Sequence, residues 1–220
     1  MLKNIKALIF DLDGTVADTI PAITDGINLT MKELGLPPHT EAEVRTYVNF
    51  GPRYLITQAL SKTIKDPDEQ MIDNALSIYN KMYSETYINT NVCYDGIPEV
   101  ISALAKKYTV AVLSNKQDEY VKSLVSQLLP HGICAAAYGS LDGIPAKPEP
   151  KRALMLADFI SVSPSECVLI GDSHVDIKTA KAAGFHSISV SWGYVSREKL
   201  IENGADVIID SPSELINILG

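Results

Sequence analysis

Apolar and polar positions fall in blocks along this chain, and the blocks change period. Ala7-Leu8-Ile9-Phe10 is a short continuous apolar run, the pattern of a strand buried on both faces. From Asp18 or Thr19, either of which can cap a helix, the period turns helical. Pro21 stands in the first turn, Ile23, Ile27, Met31 and Leu34 form a stripe, and Gly35 ends it. The pattern predicts further helices over Glu41 to Val48, Pro52 to Lys62 and Pro67 to Tyr87. Tyr79, Tyr83 and Tyr87 recur at helical spacing there and read as a packing face. Between Val16 and Tyr87 no strand signal matches that of the first run.

Alternation of strands and helices resumes at Asp95. A helix over Ile97 to Lys107 has Pro98 in its first turn and precedes a β-branched strand, Thr109 to Leu113, that ends at Ser114-Asn115-Lys116. The pattern continues with a helix from Gln117 to Leu129 and a weak, alanine-rich strand, Cys134 to Tyr138. A Gly- and Pro-rich loop from Gly139 to Pro150 follows, then a helix to Phe159. Cys167 to Ile170 is a strand leading into Gly171-Asp172-Ser173-His174-Val175-Asp176, and Gly184 closes the helix after it. A strand Ser187 to Val190, a helix Ser196 to Asn203, a strand Val207 to Ile209 and a helix Pro212 to Leu219 complete the chain.

Strands separated by helices imply a doubly wound α/β core, a parallel Rossmann-like sheet with helices on both faces. The helical block interrupts it as a small inserted domain. The expected organisation is a core of residues 1–15 and 95–220 with an insert of residues 16–94. Sites in such cores lie at the carboxyl ends of the strands, near a topological switch point. Asp11, Asp13, Ser114, Lys147, Asp172 and Asp176 all fall at or beyond strand ends.

Composition narrows the function. A net charge of −8 argues against non-specific nucleic-acid or anionic-membrane binding, but it permits a local cationic pocket for phosphate. Cys93, Cys134 and Cys167 form no C-x-x-C pair and read as free thiols of a reducing compartment. The first six residues run into the first strand without an apolar signal region, and no apolar run reaches membrane-spanning length. The expectation is a soluble cytoplasmic protein, monomer or homodimer, with a small-molecule ligand.

The chemistry centres on Asp11-Leu12-Asp13-Gly14-Thr15. Two carboxylates two residues apart at the end of a strand repel, and a cation or a held proton relieves the conflict. Gly14 allows a sharp turn, and Thr15 adds a hydroxyl. Three readings compete: a solvated turn, a calcium loop, and a nucleophilic aspartate with a second aspartate as acid/base and magnesium between them. The calcium loop fails, because its sixth and twelfth positions hold Val16 and Ala22 instead of Gly and Glu.

D-L-D-G-T-V at Asp11, Ser114 after its strand, K-P-E-P at Lys147 and G-D-S-x-x-D at Asp172 together resemble the four motifs of the haloacid dehalogenase superfamily, in order and over essentially the whole chain. The resemblance implies phosphoryl transfer through an aspartyl-phosphate with Mg²⁺. It makes the insert a cap like that of the phosphoglycolate phosphatase and phosphoglucomutase branch. It casts Asp11 as nucleophile and Asp13 as acid and then base. Ser114 and Lys147 would hold the phosphoryl group, with Thr15, Asn115 and the cap's Arg53 as substrate contacts. It implies metal ligation by Asp11, the backbone carbonyl of Asp13 and Asp172, with Asp176 orienting the site from behind.

A non-enzymatic receiver-like switch uses similar groups but needs neither Asp13 nor the insert. A dehalogenase would lack Asp13, and a phosphonatase would need a Schiff-base lysine that none of Lys32, Lys62, Lys65 and Lys81 suggests. Ser114-Asn115-Lys116, Gly139-Ser140-Leu141-Asp142 and Trp192-Gly193-Tyr194 resemble phosphoglycolate phosphatase sequences, so a phosphatase of a small phosphomonoester is expected, with a sugar-phosphate mutase as the alternative.

Overall fold

A computed structural model describes residues 4–220, without the side chains of residues 88–90; Met1, Leu2 and Lys3 of the N-terminal reading lie outside the described residues. In chain order the elements are β1 (Ala7–Phe10), β2 (Ala17–Asp18), α1 (Ile20–Glu33), α2 (Glu41–Val44), α3 (Pro52–Ser61), α4 (Glu69–Thr90), β3 (Val92–Cys93), α5 (Ile97–Leu104), β4 (Thr109–Gln117), α6 (Asp118–Leu128), β5 (Cys134–Ser140), α7 (Lys151–Phe159), β6 (Cys167–Gly171), α8 (His174–Ala183), β7 (His186–Val190), α9 (Arg197–Glu202), β8 (Ile208–Ile209) and α10 (Glu214–Leu219). They divide into two compact units, Met1–Asp18 with Cys93–Gly220, and Thr19–Val92.

The first unit is built on a six-stranded parallel sheet in the order β5-β4-β1-β6-β7-β8. All four residues of β1 are wholly buried, as a strand covered on both faces requires. Ala7, Ile9, Ala111, Leu113, Cys167 and Leu169 pack on one face against Ala153, Leu156 and Ala157 of α7 and Ala180 and Ala183 of α8. Leu8, Phe10, Val110, Val112, Val168 and Ile170 alternate with them and are buried too, so the opposite face is covered as well. The core is therefore the doubly wound α/β arrangement.

The register places the site. Phe10 lies level with Val112 on one side and Ile170 on the other. The next residues of the three strands, Asp11, Leu113-Ser114 and Gly171-Asp172, must then emerge side by side. Strand order reverses at β1, with β4 and β5 to one side and β6 to β8 to the other. That is the switch point where a parallel sheet opens a crevice.

The second unit is helical. Tyr79, Tyr83 and Tyr87 of α4 are buried and stack at 5.4 and 5.6 Å between ring centroids. They face α1 at Gly26, where a Cβ would stand 3.1 Å from Tyr79 Cε2 and 3.2 Å from Tyr83 Cδ2. The missing side chain lets the two helices close on the stacked rings.

Several element bounds differ from the expected ones. The helix expected to reach Val48 stops at Val44. Thr40 and Glu43 cap its start reciprocally, but past Val44 the bonds shorten to the three-residue pattern, Thr46 N–H to Glu43 O and Tyr47 N–H to Val44 O, both at 2.9 Å, so the α-helix does not continue. β4 does not end at Leu113; it runs on through Ser114-Asn115-Lys116 to Gln117, which pairs with Ser140 after a register shift. β5 forms in spite of its alanines because β4 pairs with it along its length. β2 and β3, at two residues each, are too short for any periodic signal.

Candidate active site

β1 delivers Asp11 and the chain turns at once. The Leu12 carbonyl accepts from the N–H groups of Thr15, Val16 and Ala17 at 3.3, 3.0 and 3.0 Å, and Gly14 N–H donates to Ala17 O at 2.9 Å. Gly14 has a φ of 80°, and any Cβ there would overlap Asp172 Oδ2. The turn therefore needs glycine twice over, for its conformation and for the space.

This turn separates the two aspartates. An extended chain would aim both carboxylates one way; instead they meet different partners. Asp11 Oδ1 accepts from Leu12 N–H at 2.7 Å and pairs with Lys147 Nζ at 2.9 Å. Asp13 accepts from Ser114 Oγ at 3.2 Å and pairs with Lys116 Nζ at 2.8 Å. The carboxylates that cluster are Asp11, Asp172 and Asp176, whose oxygens lie within 4.8 Å of one another, and the Asp13 carboxylate is outside that group.

Lys147 reaches the centre of the cluster. Its Nζ donates to Asp176 Oδ1 at 2.6 Å and to the Leu113 carbonyl at 3.0 Å besides pairing with Asp11, so all three of its protons have acceptors. Asn115 clasps the backbone of Lys147 from both sides: Nδ2 donates to Lys147 O at 2.9 Å, and Lys147 N–H donates to Oδ1 at 2.8 Å. Asp176, in the first turn of α8, accepts from Ser173 N–H at 3.2 Å and Ser173 Oγ at 2.6 Å with its other oxygen. Asp172 accepts from Tyr194 N–H at 2.6 Å through Oδ2, while its buried Oδ1 has no hydrogen-bond partner among the described residues.

Electrostatics follow from three buried carboxylates facing one ammonium. Burial, then Asp176, push Asp11 up from the ordinary 3.8 to about 7, against the lowering effect of Lys147. Asp172 is raised well above its ordinary 3.8 by burial, then by Asp176 and Asp11. Burial opposes the charge on Lys147, yet Asp11 and Asp176 outweigh it and hold the lysine above its usual value. A small divalent cation fits this set. Asp172 Oδ1 is buried and orphaned among the described residues, the three carboxylates each offer an oxygen within 4.8 Å of the others, hard oxygen donors suit such an ion, and its charge would offset the excess of carboxylates.

The remaining expected residues are placed as follows. Thr15 is wholly buried, its Oγ1 has no hydrogen-bond partner, and its carbonyl accepts from Trp192 Nε1 at 3.1 Å. Ser114 and Asn115 end up beside Asp13 and Lys147. Arg53 lies in α3 of the helical unit, where its guanidinium pairs with Glu69 and Asp73.

Sequence reasoning passed over four contributors. Lys116, Trp192, Gly193 and Tyr194 were visible only as a likeness to other sequences, without a role. Gly193 is the sharpest of them: a Cβ there would overlap Asp172 Cβ and the Gly14 carbonyl oxygen. Gly193→Ala should therefore push the loop away and take the Tyr194 N–H off Asp172. A stability loss of roughly 1–3 kcal/mol, read from denaturant unfolding, should accompany a fall in turnover. An unchanged midpoint would show that the loop is not tightly packed against Asp172.

Among the described residues no helix is long and apolar enough to cross a membrane. The profile of the haloacid dehalogenase-like hydrolases matches residues 8–190, which takes in every strand of the sheet but the last. The phosphoglycolate phosphatase of Nitrosococcus oceani is 31% identical over 224 aligned positions, covering 100% of this chain and 98% of that one. That of Aliivibrio fischeri is 28% identical, with the same coverage of both chains. A crystal structure from Lactobacillus delbrueckii subsp. bulgaricus, itself named only provisionally as a phosphoglycolate phosphatase, is 28% identical and superposes with a TM-score of 0.88 over 99% of each chain. Likeness of that extent, over the same strands and turns that carry the carboxylates and Lys147, is common descent: the chain belongs to the haloacid dehalogenase-like hydrolase family.

Proposed function

We propose that this protein is a Mg²⁺-dependent phosphatase that hydrolyses a small acidic phosphomonoester, phosphoglycolate or a close relative, through an aspartyl-phosphate on Asp11. The observation that carries this reading is the division between the two aspartates. Asp11 is paired with Lys147 in a cluster with Asp172 and Asp176, while Asp13 stands apart from the cluster with Ser114 and Lys116. A nucleophile and an acid/base need such separate environments. The relatives named phosphoglycolate phosphatase support the choice of substrate.

In this mechanism a carboxylate oxygen of Asp11 attacks phosphorus and forms the new P–O bond. The bond to the leaving alkoxide breaks, and Asp13 gives that oxygen its proton. Asp13, now a carboxylate, takes a proton from water as the water attacks the acyl phosphate, and Asp11 is released with inorganic phosphate. Lys147 holds the phosphoryl oxygens and stabilises charge that builds on them, and Ser114 donates a hydrogen bond. Asp11, Asp172 and the Asp13 carbonyl would hold Mg²⁺, which when bound supplies positive charge to the transferring group. Asp176, engaged by Lys147 and Ser173, orients the lysine instead of binding the ion.

Phosphate release should be measured over a panel of small phosphomonoesters, with Mg²⁺ and with excess chelator. Hydrolysis of phosphoglycolate among the best substrates, abolished by chelator and restored by Mg²⁺, is the expected result. Full activity in chelator, or interconversion of sugar phosphates without net phosphate release, would overturn the reading; the second outcome is that of a mutase.

The helical unit is proposed as the specificity cap, because the core groups contact only what all phosphomonoesters share. The chain leaves the core just after the catalytic turn and returns to it ahead of α5. Arg53 would recognise the substrate carboxylate, for which Glu69 and Asp73 must yield their ion pairs with it. Arg53→Ala should then lower kcat/KM on phosphoglycolate far more than on p-nitrophenyl phosphate. Equal losses on the two substrates would remove Arg53 from the site.

A further inference from the structure

Arg152 lies in the first turn of α7, and although arginines are mostly exposed, it is wholly buried. It forms no ion pair with a carboxylate among the described residues. Its guanidinium donates instead to four oxygens: Pro145 O from Nε at 3.1 Å, Ser114 O at 2.7 Å and Gly139 O from one terminal nitrogen, and Asn115 Oδ1 from the other. A buried arginine used only as packing could take any convenient acceptors. These four belong to the end of β4, the end of β5 and the loop that carries Lys147.

The contact with Asn115 has the clearest consequence. Asn115 Oδ1 receives both Arg152 and the Lys147 N–H, while Nδ2 donates to Lys147 O. Two donors converging on one atom fix which end of the amide is oxygen. That orientation is the one that clasps the Lys147 backbone, and the clasp aims Nζ at Asp11, Asp176 and the Leu113 carbonyl. Meanwhile the bond to Ser114 O holds the backbone of the residue whose hydroxyl meets Asp13. The planar fork of arginine offers five donors in a fixed geometry, enough for all four of these oxygens, whereas a lysine has three. Burial holds the guanidinium below its usual value, against the opposing charges of Asp11 and Asp118.

We propose that Arg152 is a positioning residue for phosphate capture: acting through Asn115 and Ser114, it sets the Lys147 ammonium and the end of β4 before the phosphoryl group arrives. It touches neither substrate nor metal in this role. The proposal rests on the phosphatase reading, which supplies the phosphoryl group, but it makes its own prediction about phosphate binding.

The test is a cycle of Arg152→Met, Asn115→Ala and the double variant, with Arg152→Lys as the conservative change. Affinity for inorganic phosphate is measured by calorimetry in excess Mg²⁺, kcat/KM on phosphoglycolate, and the unfolding midpoint alongside. Arg152→Met should weaken phosphate binding by about 10–100-fold, and the double variant should be little worse than Asn115→Ala alone. Arg152→Lys should recover most of the midpoint but only part of the phosphate affinity, and it carries the test if Arg152→Met does not fold. Losses that multiply in the double variant, or wild-type phosphate affinity in Arg152→Lys, would reduce Arg152 to a structural residue. A wild-type protein that binds phosphate but hydrolyses no phosphomonoester would refute the functional reading alone, since the cycle on phosphate affinity still decides the role of Arg152. A wild-type protein that binds no phosphate overturns the proposal.

Discussion

Asp11→Asn should abolish turnover, by on the order of 10⁴-fold or more, as expected for loss of a catalytic nucleophile, while making the metal-free protein more stable above neutral pH. The two effects have one origin. Asparagine can still accept from Leu12 N–H and Lys147, but it offers no carboxylate to phosphorus. In the wild type the folded-state value of Asp11 is raised to about 7, chiefly by burial. A carboxyl whose folded value lies above its unfolded one contributes stability at low pH, and that contribution is lost as pH rises through the folded value. Asparagine does not ionise and loses nothing over that range. Thermal unfolding in chelator at pH 5 and pH 8 should therefore show the variant gaining on the wild type at the higher pH, and added Mg²⁺ should narrow the gap. Near-wild-type turnover in Asp11→Asn would sink the mechanism. Asp13→Asn should slow turnover by about 10²-fold or more as acid/base help is removed.

Lys147→Met should cost both stability and catalysis. The lysine is the cation between Asp11 and Asp176, and its removal leaves buried carboxylates facing one another. Breaking a buried pair in this way destabilises by about 3–5 kcal/mol. Lys147 also works to lower Asp11 and Asp172, so without it both carboxyls move further up. By the same linkage, the metal-free variant should lose stability more steeply than the wild type as pH rises. Catalysis should fall by on the order of 10²–10³-fold, since a preorganised charge on the phosphoryl group is lost. The exposed neighbour Lys151 is the control, and Lys151→Met should change neither property. A Lys147→Met protein with the wild-type unfolding midpoint at pH 8 in chelator would show that the cluster does not need the lysine for its electrostatic balance.

Much of the architecture was legible along the chain because it depends on local period. A four-residue apolar run bounded by Asp and Gly can hardly be anything but a buried strand and its turn, so β1 and the Asp11–Thr15 segment were readable at once. The same holds for β6 with Asp172 and for the helical block, whose stripe and tyrosine face survive as α1 and α4. Bounds were less readable where the chain departs from its period. Three-residue bonds past Val44 cut α2 short, and pairing with β5 drew β4 out through Ser114-Asn115-Lys116.

What the sequence could not determine was direction and burial at the site. The two aspartates look like a matched pair in a line of letters, yet a tight turn rotates one away from the other, and side-chain direction after a turn is not a function of spacing. Lys116 and Lys147 are both loop-like lysines on paper; only the parallel register of β4, β1 and β6 decides that one meets Asp13 and the other Asp11 and Asp176. Arg152 is the extreme case. Its helix reads as amphipathic with a charged first turn, and nothing local says that three backbone carbonyls and an asparagine oxygen will close around it. Local period is a property of neighbours in the chain, and it determined the elements. The site is made by residues from four separate stretches of the chain, at Asp11, Ser114, Lys147 and Asp172, and only the packing of those elements could bring their charges into one enclosure.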